Sequence, residues 1–307
     1  MRDRLQSLID KGPGGVHLKI RYHHSKKTEV RVDKGVLRTA SSDDFTGVGI
    51  RALVNGAWGY ASTSKLDKEA LNKALSDSIA AARALALSVR EKIQLAPIEP
   101  VTGTFTSVGS DPVEKHGMDE IVKLAVETEK KVRDSDRRIK GSVVMLRVAT
   151  NNRIILNTDG TDAETRDTKP EFFVRATASE GANMMSCLVG RGRTAGWELF
   201  REELSDDVVA RTVETSIGLL NAPLAKGGKH IVVMEPAVVG LICHEAIGHT
   251  VEADIVRSGS AAKGKIGERV ASEHVTMIDS GKEESGSGWL LMMQVYEQAG
   301  LSSLTRE

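Results

Sequence analysis

The densest group of metal-type ligands in this 307-residue sequence is His244-Glu245-Ala246-Ile247-Gly248-His249. Imidazole nitrogens suit zinc, and a neighbouring carboxylate suits a general base acting on a metal-polarised water. The familiar arrangement, H-E-x-x-H, sets its two histidines at i and i+4 on one helical face. Here they stand at i and i+5. Five steps of an ideal α-helix leave the rings pointing about 140° apart. Both can chelate one ion only if the helix is distorted, by a local π-bulge or a break at Gly248. On an undistorted helix Glu245, His249 and Glu252 share a face instead. Glu252 is then a ligand, a partner that orients His249, or a member of an ion pair. The apolar run AVVGLIC directly before His244 makes this polar group costly to bury unless it is paired. The plain alternative is a polar helix face with ordinary hydrogen bonds.

Elements that position this group are legible upstream. HIVVM (230–234) reads as a strand, and Pro236 stands where a first helical residue belongs. Before it, strands are expected over 16–22 and 28–32, with a turn at Asp33, Lys34 and Gly35. Asn55-Gly56 inside GVGIRALVNGAWGYAS predicts a type I′ hairpin. Ser64 to Asp67 fits a capping box, and Leu71, Leu75, Ile79, Ala82 and Leu85 form a helical stripe. The proline-bearing stretch 96–112 reads as a linker. A helix is expected over 118–132, with Ile121, Leu124, Ala125 and Val132 inward. SVVMLRVA and RIILNT flank a hairpin signal at Thr150-Asn151-Asn152, and two more antiparallel strands follow. A last helix, capped by Ser205, turns Val209, Val213, Ile217 and Leu220 inward.

Other clusters read as structure. GSAAKGK (259–265) imitates a phosphate loop, but Ile266 stands where Ser or Thr is required. In GRGRTAG (190–196), Arg191 and Arg193 are candidates to steer a peptide carboxylate, with solvated charge as the default. Trp58 and Trp197 read as core anchors, His23-His24 as a strand surface feature and Asp43-Asp44 as loop charge.

Composition bounds the rest. The 42 Lys and Arg cancel the 42 Asp and Glu, against a general nucleic-acid binder. Aromatics at 4% are too few for stacking platforms along the chain. No apolar run reaches the roughly 18 residues of a membrane span, and the N-terminus carries no signal-peptide core. Two cysteines, Cys187 and Cys243, suit a reducing compartment, so a cytoplasmic protein without membrane or nucleic-acid partners is expected.

HEAIGHTVEAD (244–254) closely resembles the H-E-x-x-x-H motif of the TldD/PmbA family of metallopeptidases, on the TldD side. TEVRVDKGVLRTASSDDFTGVGIRALVNGAWGYAST (28–63) looks like that family's first domain, and residues 112–220 look like its second. The resemblance covers the chain to about residue 282. It implies an α+β protein: antiparallel sheets packed with helices, followed by the start of a metal-binding domain. The divisions expected are 1–95, 112–222 and an incomplete third domain at 228–307. By resemblance, His244 and His249 are zinc ligands, and Glu245 is the general base. The substrates implied are extended or unstructured peptides, which some members cleave to mature peptide antibiotics. The assembly implied is a homodimer or a heterodimer with a PmbA-type subunit. The family's third ligand is a cysteine well after the second histidine. No cysteine follows Cys243 here, and 292–307 departs from the family's continuation, so a C-terminus shortened by truncation, by a frameshift or by natural lineage difference is expected. Cys243 itself reads as a small buried hydrophobe. Glu252 and His274 are the substitutes within reach. The alternative is a non-catalytic remnant or partner subunit with an incomplete metal site.

Overall fold

The computed structural model describes residues 1–90, 92–97 and 99–277. Residues 1–93 and 99–223 make one compact unit; 94–98 and 224 onward make a second.

The first unit is built on a seven-stranded sheet of order β3-β2-β1-β5-β6-β4, with β7 also on β6. Its strands are β1 (His17–Asp33), β2 (Val36–Val54), β3 (Ala57–Thr63), β4 (Thr102–Ser107), β5 (Ile139–Asn157), β6 (Asp162–Glu180) and β7 (Asn183–Gly192). All pairings are antiparallel except β4 with β6. Helices α1 (Arg2–Asp10), α2 (Lys68–Ala86), α3 (Met118–Asp134), α4 (Glu198–Glu203) and α5 (Asp206–Gly218) complete it. This is the mixed, largely antiparallel α+β class expected, with one continuous sheet in place of several.

The sheet carries two separate cores along its length. Near one end, Leu18 and Ile20 of β1 pack with Leu5 and Leu8 of α1 and Leu71, Leu75 and Ile79 of α2. Near the other, Val30 and Val32 of β1 pack with Leu146, Phe172 and Val174, under Ile121, Ala125 and Val132 of α3 and Val209 and Val213 of α5. The β1 residues of both cores are even-numbered, so they lie on one face of the strand.

That arrangement explains three departures from expectation. Residues 16–22 and 28–32 are not two strands but one, because the polar HHSKK between them bridges the two cores inside an unbroken ladder. Thr150-Asn151-Asn152 makes no hairpin. Asn151 pairs with Ser25 on one side and Asp167 on the other, and its amide donates to the Asp167 carboxylate (2.9 Å). The stretch 96–112 contains β4, whose six residues lie between Pro100 and Pro112 and add to the edge of β6. Proline composition hid a short run of strand formers.

Turns and caps follow local chemistry. Lys34-Gly35 and Asn55-Gly56 both take positive φ (49° and 76°, 49° and 81°), as a type I′ hairpin requires. Helix α2 starts one residue after Asp67, whose side chain accepts from the Ala70 N–H (2.9 Å). Asp67 is therefore the cap itself, not the N3 residue of a box opened by Ser64. Leu85 at the end of the stripe is 47% exposed. Ser205 caps α5 as expected. Trp197 is buried, whereas Trp58 is half-buried with the Arg51 guanidinium 4.7 Å over its ring. Asp43 and Asp44 lie within β2, not in a loop, and Asp44, which faces Lys26 in the ladder, hydrogen-bonds diagonally to His24 (2.8 Å).

In the second unit the described elements are α6 (Pro236–Cys243), a π turn (His244–Gly248), a 3₁₀ turn (His249–Val251) and α7 (Ala253–Arg257). Residues 230–234 form no strand. Ile231 and Val233 are almost fully exposed, and no described strand pairs with them. An apolar run becomes a strand only through a ladder partner. The 292–307 segment lies outside the described residues. No described helix is long and apolar enough to cross a membrane.

Candidate metal centre

Pro236 opens α6 at its first turn, where a missing N–H costs nothing. The helix runs as ordinary α through Cys243 and then widens. Over His244–Gly248 the chain makes a π turn, closed by the His249 N–H donating to the His244 carbonyl. This is the distortion that i, i+5 spacing demands. The extra residue is absorbed in the wider turn, and the two imidazoles come to the same side with ring centroids 4.4 Å apart.

Gly248 sits inside the turn in right-handed helical geometry (φ −49°, ψ −57°). A β-carbon there would lie 3.6 Å from the Cys243 carbonyl and 3.7 Å from His244 Nδ1, ordinary contact distances. Glycine is thus required neither by φ nor by space.

His244, Glu245 and His249 each present a donor atom, all within 4.8 Å of one another. Glu245 Oε2 stands 3.9 Å from His249 Nε2. Two imidazoles on one side of the turn are donors of the type that zinc takes, and the Glu245 carboxylate beside them is of the type that serves as a base toward a metal-bound water. His249 Nδ1 is already engaged: it donates to Glu252 Oε1 at 2.7 Å. That leaves Nε2, the nitrogen nearer Glu245.

The remaining candidates are placed elsewhere. Cys243 is half-buried, not buried. His274 is exposed and neighbours Glu273 (3.8 Å), outside the cluster. In the first unit, Arg193 is not available to steer a carboxylate, because Glu202 and Glu203 hold it at 2.7 and 2.9 Å. The phosphate-loop imitation at 259–265 forms turns after α7, and its Ser260 has a role that spacing did not show. The Ser260 hydroxyl donates to the Thr250 carbonyl (2.7 Å), while the Thr250 hydroxyl donates to the Ile247 carbonyl (2.8 Å). These two bonds pin the segment just beyond the π turn. The Ala262 N–H also donates to the Ser260 oxygen (3.2 Å), a local turn bond that a Ser two residues earlier signals.

The chain thus combines a largely antiparallel mixed sheet with a candidate metal-binding His-Glu-His cluster on a π turn. Comparison with known proteins then gives the family. Three family models match along the chain: PmbA/TldA metallopeptidase domain 1 at residues 18–82, the central domain at 111–220 and the C-terminal domain at 227–292. The chain belongs to the PmbA/TldD family. A metalloprotease of Methanocaldococcus jannaschii is 25% identical over 93% of this chain and 62% of its own length. A metalloprotease of Methanothermobacter thermautotrophicus is 28% identical over 85% of this chain and 56% of its own. The chain therefore spans about three-fifths of these relatives. The crystal structure of TldE from Thermococcus kodakarensis shares the fold, with a TM-score of 0.66, 19% identity and coverage of 88% of this chain and 60% of that one.

Proposed function

We propose that this chain carries a zinc-dependent peptidase site acting on extended or unstructured peptides, with His244 and His249 as metal ligands and Glu245 as the general base. The observation that carries the reading is the π turn, which turns an otherwise incompatible i, i+5 spacing into two imidazoles 4.4 Å apart. Zinc in such a site supplies Lewis acidity toward a water and a peptide carbonyl. The chain's own residues do the rest. The Glu245 carboxylate takes the proton shed by the attacking water and passes it to the leaving amine, as a base and then an acid. His249, fixed through Nδ1, keeps Nε2 toward the cluster.

The same reading divides the chain at 1–95, 112–222 and 228–307, the last part bearing the ligands. It places the protein in the cytoplasm. Its assembly is a homodimer or a heterodimer with a PmbA-type subunit, in keeping with relatives named metalloproteases and a structural neighbour named TldE.

Metal analysis of the purified 307-residue chain tests this directly. About one zinc per protomer is expected, and none after gentle purification would remove the reading. Glu245→Gln is expected to keep the zinc and lose peptide hydrolysis by about 10²–10⁴-fold. Activity that survives this change assigns the base elsewhere.

A further inference from the structure

We propose that Glu252 is the positioning residue of this site: it holds His249 in the tautomer and orientation that present Nε2 as a metal donor. This rests on the metal-site reading above and goes beyond it, to a residue outside the H-E-x-x-x-H motif.

The backbone places Glu252 for this task. Directly after the π turn the chain tightens into a 3₁₀ turn over His249–Val251, and the Glu252 N–H donates to the His249 carbonyl (3.3 Å). In a 3₁₀ turn, side chains at i and i+3 eclipse. The His249 ring and the Glu252 carboxylate are therefore stacked by the backbone itself, and their polar atoms meet at 2.7 Å.

Glu252 is also the N-cap residue of α7, with extended geometry (φ −60°, ψ 134°), yet its side chain makes no cap hydrogen bond. A cap carboxylate accepts from the N–H at N2 or N3, but here the Asp254 side chain takes the Ile255 N–H (3.0 Å). The Glu252 carboxylate turns back to His249 instead.

The chemistry follows from the acceptor. A carboxylate accepts, so the shared proton sits on His249 Nδ1, which leaves Nε2, 3.9 Å from Glu245 Oε2, as the ring's other donor atom. A hydrogen bond from the far ring nitrogen to a carboxylate fixes the ring and raises ligand basicity.

A surface ion pair is the competing account, since both side chains are about half exposed (44% and 47%). The two accounts separate on metal affinity. The test is zinc titration of the full chain against a chromophoric chelator, for wild type, Glu252→Gln and Glu252→Ala. Thermal unfolding of each metal-free protein and the Co(II) absorption spectrum are recorded alongside. The expected result is a zinc affinity lowered about 10–100-fold in Glu252→Ala. Glu252→Gln falls between, because its amide oxygen still accepts from Nδ1. The Co(II) ligand-field bands shift, and metal-free melting stays at the wild-type value. Wild-type zinc affinity and Co(II) bands in both variants would overturn the role of Glu252 and leave the metal-site reading standing. A wild-type chain that binds neither ion would overturn that reading, and this proposal with it.

Discussion

The sheet unit and the segment from residue 224 onward encode their structure differently. The first holds two cores whose side chains are nearly all inaccessible, Leu5, Leu18, Ile20, Leu146 and Phe172 among them. In the second, no described residue is buried. Leu241 and Ile242, one turn before the cluster, are 58% and 45% exposed. The first unit is held by burial, and local interactions merely decorate it. The candidate metal site is organised by backbone hydrogen bonds, two side-chain anchors and one His–Glu bond. A site so organised is sensitive to its few polar bonds and insensitive to its apolar neighbours.

Core truncation offers the largest effect by which to break this contrast. Phe172→Ala is expected to cost about 3–5 kcal/mol, whereas Leu241→Ala is expected to stay within about 0.5 kcal/mol. Denaturant unfolding of both variants is the check. A comparable loss at Leu241 would show that its helix is covered.

Glycine gives a second paired test. A β-carbon at Gly59 in β3 would lie 2.0 Å from the Ser78 carbonyl and 2.3 Å from the Ala82 nitrogen, because the backbone of α2 rests directly on that strand. Gly59→Ala is expected to cost about 1–3 kcal/mol through forced displacement. Gly248→Ala meets only ordinary contacts and is expected to leave stability within about 0.5 kcal/mol. Melting temperatures of the two variants decide it. A large loss at Gly248 would mean the π turn needs glycine for a reason other than space.

A smaller effect is expected from pH, at Glu198 of the first unit. Burial pushes the Glu198 carboxyl upward, but N–H groups of Gly196, Asp111 and Ser110 more than offset it, bringing the pKa from the usual 4.5 to about 2. A carboxyl depressed in the folded state stabilises above its unfolded value. That stability fades as pH falls from about 4.5 toward 2. Unfolding midpoints of wild type and Glu198→Gln are therefore expected to differ at pH 6 and converge near pH 2. A constant gap across that range would show that the carboxylate charge is not what the loop 109–111 is built around.

Much of the first unit was legible from local chemistry. Asn55-Gly56 and Lys34-Gly35 make the turns their residue types require, and the stripes of α2, α3 and α5 bury most of their expected residues. What failed was continuity. HHSKK and Thr150-Asn151-Asn152 carry turn-like composition, yet both run straight because neighbouring strands supply a ladder partner at each position. The hydrogen bonds of Asn151 with Asp167 and His24 with Asp44 join residues 16 and 20 apart. Only strand register brings them together.

By itself the sequence determined the candidate ligand types, their i, i+5 spacing and hence the need for a distorted helix if both rings are to meet, because α-helical periodicity leaves no other way to bring those rings together. It also determined caps and turns, which depend on the few residues within hydrogen-bond reach along the chain. Tertiary structure decided that one sheet carries two cores and that β4 joins it in parallel. Only the folded backbone shows that the distortion is a π turn followed by a 3₁₀ turn, which directs the Glu252 carboxylate to His249. These outcomes depend on which backbone groups find partners, and a choice among competing hydrogen bonds is made in three dimensions.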